Sequence, residues 1–255
     1  MTDIIRPRFF IGLHQPSDAW RFRQCMISVN RLEHNGRMRL SDIAVNDWIL
    51  DSGAFSRLAT GKGHMSVENY IVHINRWTGC GNLLAAVSQD YMCEPFMLQK
   101  AKEFAFSDGT VKHHQELTIA RYDALVNAQP SAYIMPVLQG YEPGEYITHI
   151  RQYEDRLIQG AWVGVGSVCK RNSDSQQIER VLTAINSERP DLLLHGFGLK
   201  SKALTNHAVN EMLFSTDSMA WSYAARMNGH GANDPQNAQA YIDALESLPV
   251  QMMLF

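Results

Sequence analysis

Eight short apolar runs divide this chain, each followed by glycine or polar residues and then by a stretch with helical spacing. They lie at 9–13, 25–29, 47–50, 84–87, 133–138, 162–166, 192–195 and 213–216. Several are apolar at consecutive rather than alternate positions, the pattern of strands covered on both faces. Strand–helix alternation without long polar linkers implies a parallel sheet. Eight such units favour closure into an α/β barrel of the (β/α)8 TIM type over an open doubly wound sheet. A barrel of this kind needs about 250 residues, and the chain has 255. One barrel domain over 1–255 is therefore expected, irregular in its early units because 31–46 lacks a helical period.

The intervening helices carry readable signals. Ser66 is placed to cap a helix whose apolar positions are Val67, Tyr70, Ile71 and Ile74, a spacing that gives one buried stripe. Asp174 with Gln177 resembles a capping box ahead of Ile178, Val181, Leu182 and Ile185. Pro143-Gly144 opens another helix bearing Tyr146, Ile147, Ile150 and Leu157, and Pro235 fits the first turn of a last helix reaching about Leu248.

Composition narrows the function classes. A chain that is 45% hydrophobic and 19% charged can pack a core. Its net charge of −3 excludes coating nucleic acid through the overall field, so any such contact must come from a local patch. Cys25, Cys80, Cys93 and Cys169 are too scattered for a zinc ribbon or disulfide framework and read as reduced thiols. Cys93 with His113 and His114 lacks the spacing of a four-ligand zinc site. No metal or cofactor is expected. The N-terminal MTDIIRPRFF has no signal-peptide core, and no stretch approaches the ~20 apolar residues of a membrane span. A soluble, cytoplasmic protein without membrane contact is expected.

Barrel sites form at the C-terminal ends of strands, so the residues after each run matter most. Asp51-Ser52-Gly53 follows one run, Ser88-Gln89-Asp90 another, Gln139-Gly140 a third, and Asp217-Ser218 the last. Three carboxylates, Asp51, Asp90 and Asp217, thus reach one rim from three strands. Two carboxylates in one pocket can divide labour, one ionised and one trading a proton, as glycosidic bond cleavage through a covalent sugar ester requires. Any one of these aspartates could instead be a helix N-cap, but convergence of three favours chemistry. Gln139 offers donor and acceptor to a planar base. Gly164, Gly166 and Gly198 would admit backbone to a flat ligand or large side chains to the barrel interior. His195 reads as a core histidine with both ring nitrogens satisfied.

These residues also resemble a known family. DSGAFS at 51–56 resembles the DSGG(F/Y)Q motif of tRNA-guanine transglycosylases, and Leu138-Gln139-Gly140 resembles their VQGG turn. HGFG at 195–198 stands at their Met/Val-Gly turn. Asp217 to Arg226 resembles their nucleophile stretch, with the inner Pro-Thr-Arg replaced by Trp221-Ser222-Tyr223. SQDYMCEP (88–95), WVGVGSVCKR (162–171) and DSMAWSYAAR (217–226) are closer still to the DpdA family, which places 7-deazaguanines in DNA. The resemblance implies Asp217 as nucleophile at C1′ and Asp51 as general acid/base. It implies Asp90 and Gln139 as readers of the base edge, with Ser52, Gly53, Gly140, Gly164, Gly166, Phe197 and Gly198 around them.

The Cys-x-Cys-x-x-Cys…His zinc site of the tRNA enzymes is absent from the sequence, which favours DNA, with a flipped or single-stranded target base, over tRNA. The co-substrate implied is a free 7-deazaguanine such as the 7-cyano form, in a bacterial or phage-infected cytoplasm. Cations after strand ends, Arg57, Lys62, Lys170, Arg171, Lys200, Lys202 and Arg226, could grip phosphates, and Trp20, Trp221 and Tyr91 could stack on bases. The same exchange on tRNA, base excision without an incoming base, and a non-catalytic nucleic-acid-binding barrel stay open as alternatives. Partner proteins and self-association are not specified by the sequence.

Overall fold

The computed structural model describes residues 6–34, 37–38, 45–171 and 174–247. The strands are β1 (Arg8–Leu13), β2 (Gln24–Ser28), β3 (Glu33–His34), β4 (Arg37–Met38), β5 (Asp47–Asp51), β6 (Asn82–Val87), β7 (Ile134–Met135), β8 (Val137–Leu138), β9 (Trp162–Val165), β10 (Leu193–Gly196) and β11 (Ser215–Ser218). The helices are α1 (Val29–Leu32), α2 (Ala54–Ala59), α3 (Val67–Trp77), α4 (Pro95–Glu103), α5 (Val111–Asn127), α6 (Pro143–Tyr153), α7 (Ser175–Glu188), α8 (Ser201–Leu204), α9 (His207–Met212), α10 (Ala220–Met227) and α11 (Pro235–Ser247).

Nine strands form one sheet in the order β7-β6-β5-β2-β1-β11-β10-β9-β8, and every pairing in it is parallel. The two ends of that order are consecutive in the chain, separated by Pro136 alone. Proline has no N–H for a ladder, so β7 bonds to β6 and β8 to β9. The Pro136 carbonyl still accepts from Gly164 N at 2.8 Å. The nine strands are therefore eight staves of a barrel, one of which changes neighbours midway. The eight runs read from the sequence are these eight staves. The last was placed early: its ladder bonds begin at Phe214, and Asp217 lies inside β11 rather than after it.

Ser66 caps α3 by accepting from Asn69 N, and Asp174 caps α7 by accepting from Gln176 N and Gln177 N. The expected capping box is only half made: the Gln177 amide donates to the Asp174 carboxylate, and the Asp174 N–H goes to Arg171 O rather than to the Gln177 side chain. Leu157 is buried but lies beyond α6, which ends at Tyr153 ahead of a 3-10 turn where Glu154 has φ +50°. The irregular stretch after Arg31 contains the end of α1 and the antiparallel β3–β4 pair; 35–36 and 39–44 lie outside the described residues, as does Leu248. Among the described residues no helix is long and apolar enough to cross a membrane.

Phe10, Met26, Ile49, Ala85, Val87, Met135 and Val137 pack together inside the barrel. They come from five neighbouring staves, β1, β2, β5, β6 and the one made of β7 and β8, and inward-facing residues alternate with outward-facing ones. Two larger clusters fill the layer between strands and helices. Gly164 on β9 is the gap in the interior: a Cβ there would sit 2.3 Å from the Phe197 ring, so glycine admits that ring. Trp48 on β5 is 1% exposed, and its indole donates to Cys80 O at 2.8 Å. Trp48→Ala should therefore lower unfolding free energy by about 3–5 kcal/mol, measurable by urea denaturation.

Candidate active site

Because all eight staves run the same way, their C-terminal ends share one rim. A cavity of about 610 Å³ opens there, lined by Asp51, Asp90 and Asp217 together with Gln139, Gly166, Ser167 and Phe197. Met26, Val87, Met92 and Met219 add apolar surface, and Arg31, Arg57 and Lys62 bring positive charge to its wall. Asp51 closes β5, Asp90 follows β6 by three residues, and Asp217 is the third residue of β11.

Asp217 is held through one oxygen. Its Oδ1 accepts from Gly198 N at 2.9 Å and lies 3.3 Å from His195 Nε2. One tautomer of the ring satisfies both of its neighbours. Trp162 Nε1 can only donate, and it gives its proton to Ser215 Oγ at 2.8 Å. With the single N–H of the neutral ring on Nε2, pointing at Asp217, His195 Nδ1 accepts the Ser215 hydroxyl proton at 2.8 Å. Both contacts fall on Oδ1, so Oδ2 faces the cavity with its lone pairs uncommitted to any described residue. Gly198 has φ +63°, the left-handed conformation that glycine adopts without strain.

Asp51 and Asp90 differ from it. Burial pushes the Asp51 carboxyl above its ordinary range and the nearby Asp217 charge adds to this, while hydrogen bonds from Ser28 and Gly53 oppose it. Burial pushes Asp90 up to about 7, opposed by a hydrogen bond from Gln139 and reinforced by the charges of Asp51 and Glu94. Gln139 Nε2 donates to Asp90 Oδ2 in a close contact. The Gln139 backbone is pinned as well, its N–H given to His149 Nδ1 at 2.8 Å and its carbonyl accepting from Gln115 Nε2 at 2.7 Å. Gly166 lies against the Gln139 amide, and a Cβ there would come within 2.2 Å of Nε2.

The other residues singled out from sequence fall in different places. Ser52 and Gly53 sit just behind the cavity wall, where Gly53, with φ +69°, starts α2. Gly140 packs on Tyr146, and the space beside Gly164 belongs to Phe197, so these two act in packing. Arg171 is buried, bonded to Tyr141 O and stacked 4.4 Å over its ring, so it does not present its charge to a phosphate backbone. Lys200 and Arg226 are exposed, Lys200 lying 5.7 Å over the Tyr223 ring; the side chain of Lys170 lies outside the described residues. Trp221 and Tyr91 are buried rather than open for stacking, Trp221 donating to Gly12 O and Tyr91 lying between His64 and His114. Trp20 is exposed, with Arg21 over its ring. His114 bonds Met92 O and Ser107 Oγ while His113 faces Asp108.

Sequence reasoning missed Ser28, Asn30 and Arg31 at the cavity wall; the strand-end rule would have found Asn30 and Arg31 after the run 25–29, whereas Ser28 lies inside that run. It also missed Glu94, Ser167 and the bond from His195 to Asp217.

A parallel α/β barrel with three carboxylates around one deep cavity at its strand C-termini has the layout of a barrel enzyme. The family model DpdA, described as DeoxyPurine in DNA protein A, matches residues 5–238, and the chain belongs to this family. No curated protein matches it.

Two outcomes follow from the geometry. A carboxyl raised in the folded state binds more protons folded than unfolded, so wild-type stability falls as pH climbs from the ordinary carboxylate range to about 7. Asp90→Asn removes that titration. Its unfolding free energy relative to wild type should rise across this window and level off above it, by on the order of 1–3 kcal/mol; a pH-independent difference would contradict a raised Asp90. His195→Phe keeps a ring but strands the Ser215 hydroxyl and removes a donor from Asp217. It should cost about 1–3 kcal/mol in denaturant unfolding.

Proposed function

We propose that this protein exchanges guanine in DNA for a 7-deazaguanine base through a covalent bond between Asp217 and the deoxyribose C1′. Family membership supports DNA as the nucleic acid. The observation that carries the chemistry is the division between Asp217, oriented by two donors on one oxygen, and Asp51, whose burial favours the protonated form.

In this reading the target nucleotide leaves the base stack, at a cost of a few kcal/mol that is least in single-stranded or distorted DNA. Arg31, Arg57 and Lys62 at the cavity wall offset phosphate charge near the carboxylates. Asp217 Oδ2 attacks C1′ as the C1′–N9 bond breaks, and Asp51 gives its proton to the departing guanine. The 7-deazaguanine enters and its N9 proton passes to the Asp51 carboxylate. N9 then bonds to C1′, releasing the Asp217 carboxylate. Each step balances without an external acid or oxidant, and both carboxylates return to their starting states.

Wild-type protein incubated with DNA should yield an adduct that survives denaturing electrophoresis, and Asp217→Ala should yield none. Persistence of the adduct in that variant would remove Asp217 from the role. Asp51→Asn should slow incorporation of labelled 7-deazaguanine by about 10²–10⁴-fold, the usual worth of a general acid/base. Running DNA and tRNA side by side tests the substrate, since label entering tRNA alone would overturn the DNA reading. Abasic product with no requirement for incoming base would point to excision instead.

A further inference from the structure

Ser167 sits just beyond β9, is 4% exposed, and has φ +59°, a conformation that side-chain-bearing residues rarely adopt. Its hydroxyl accepts from Cys93 N at 3.0 Å and lies 2.8 Å from Gln139 Oε1. A main-chain N–H can only donate, so the serine proton is free to point onward to the amide oxygen. An amide oxygen fixed on Ser167 turns the NH2 group toward Asp90, as found. The cavity wall then presents an amide donor beside a carboxylate acceptor, in that order.

We propose that Ser167 is a positioning residue that sets the polarity of the base-reading edge, so that the cavity accepts guanine-type and rejects adenine-type bases; this rests on the base-exchange reading. A guanine-type edge offers a carbonyl acceptor next to an N–H donor, which complements an amide N–H next to a carboxylate. An adenine-type edge offers an amino donor next to a ring-nitrogen acceptor, and both contacts become like against like. The reversed wall needs the Gln139 amide turned over and Asp90 protonated so that it can donate. Burial raises Asp90 to about 7, so above that pH the ionised carboxylate itself holds the Gln139 NH2 group in place, and below it the Ser167 hydroxyl, whose proton would lose its acceptor if the amide turned over, does so. Glycine suits a φ of +59°, so Ser167→Gly removes the hydroxyl while relieving the backbone.

The test is calorimetric binding of free 7-deazaguanine and free 7-deazaadenine to the full chain, with Ser167→Gly and Ser167→Ala alongside wild type. Wild type should prefer 7-deazaguanine by at least about 100-fold, more conservative than the roughly 10⁴–10⁵ reached by sites built to pair polar groups. Both variants should lose at least about tenfold of that ratio, and Ser167→Gly, which relieves the φ of +59°, should unfold at a higher Tm than Ser167→Ala. A preference preserved in both variants overturns the role of Ser167 and leaves base exchange standing. Equal or absent binding of both bases by wild type overturns the base-exchange reading and this inference with it.

Discussion

Negative charge held close together and away from water is the constraint around which this molecule is built. Three carboxylates share one cavity; the charge of Asp217 disfavours ionisation of Asp51, and that of Asp51 disfavours ionisation of Asp90. Such groups persist only where donors reach them. Here the donors arrive in directed series that start from groups with no choice: an indole N–H in one, a main-chain N–H in the other. Trp162, Ser215 and His195 deliver a proton toward Asp217; Cys93, Ser167 and Gln139 deliver one toward Asp90. Each passes through a buried serine, a side chain that can accept one proton while giving another.

The barrel supplies what those series require. Parallel strands bring residues far apart in sequence to one rim, as with Cys93 and Ser167, which are 74 positions apart. Absent side chains open the space: glycine at 166 admits the Gln139 amide and glycine at 164 admits Phe197. Pro136 lets one stave bond to β6 over its first half and β9 over its second, and Gln139 follows directly after that second half. Packing such as Trp48 and the interior cluster under the cavity keeps the rim from relaxing.

Much of this was legible in the sequence because strand and helix periods are local signals. The eight apolar runs, the caps at Ser66 and Asp174, and the carboxylates after strands required only neighbours along the chain. The exchange of partners at Pro136 was not legible, because a proline inside 133–138 reads the same whether a strand ends or switches sides. From sequence Arg171 reads as a phosphate contact and Trp221 equally as a base platform or a core residue, because chemical type does not reveal burial. His195 was rightly read as a satisfied buried histidine, yet its partner proved to be Asp217, 22 positions away, which no local pattern announces. Ser167 carried only its place after a strand; its use depends on Cys93 and Gln139 arriving from two other parts of the barrel.

The one-sided grip on Asp217 has a consequence for reversibility. Under the proposed exchange, Oδ2 becomes the ester oxygen and Oδ1 the ester carbonyl, still facing Gly198 N–H and His195. Donors that polarise that carbonyl draw electron density from the sugar–oxygen bond and make the carboxylate a better leaving group. The same two contacts that aim the oxygen would thus keep the intermediate from becoming a thermodynamic sink. A protein that must let go of DNA after swapping one base for another gains more from a readily broken bond than from a strong one.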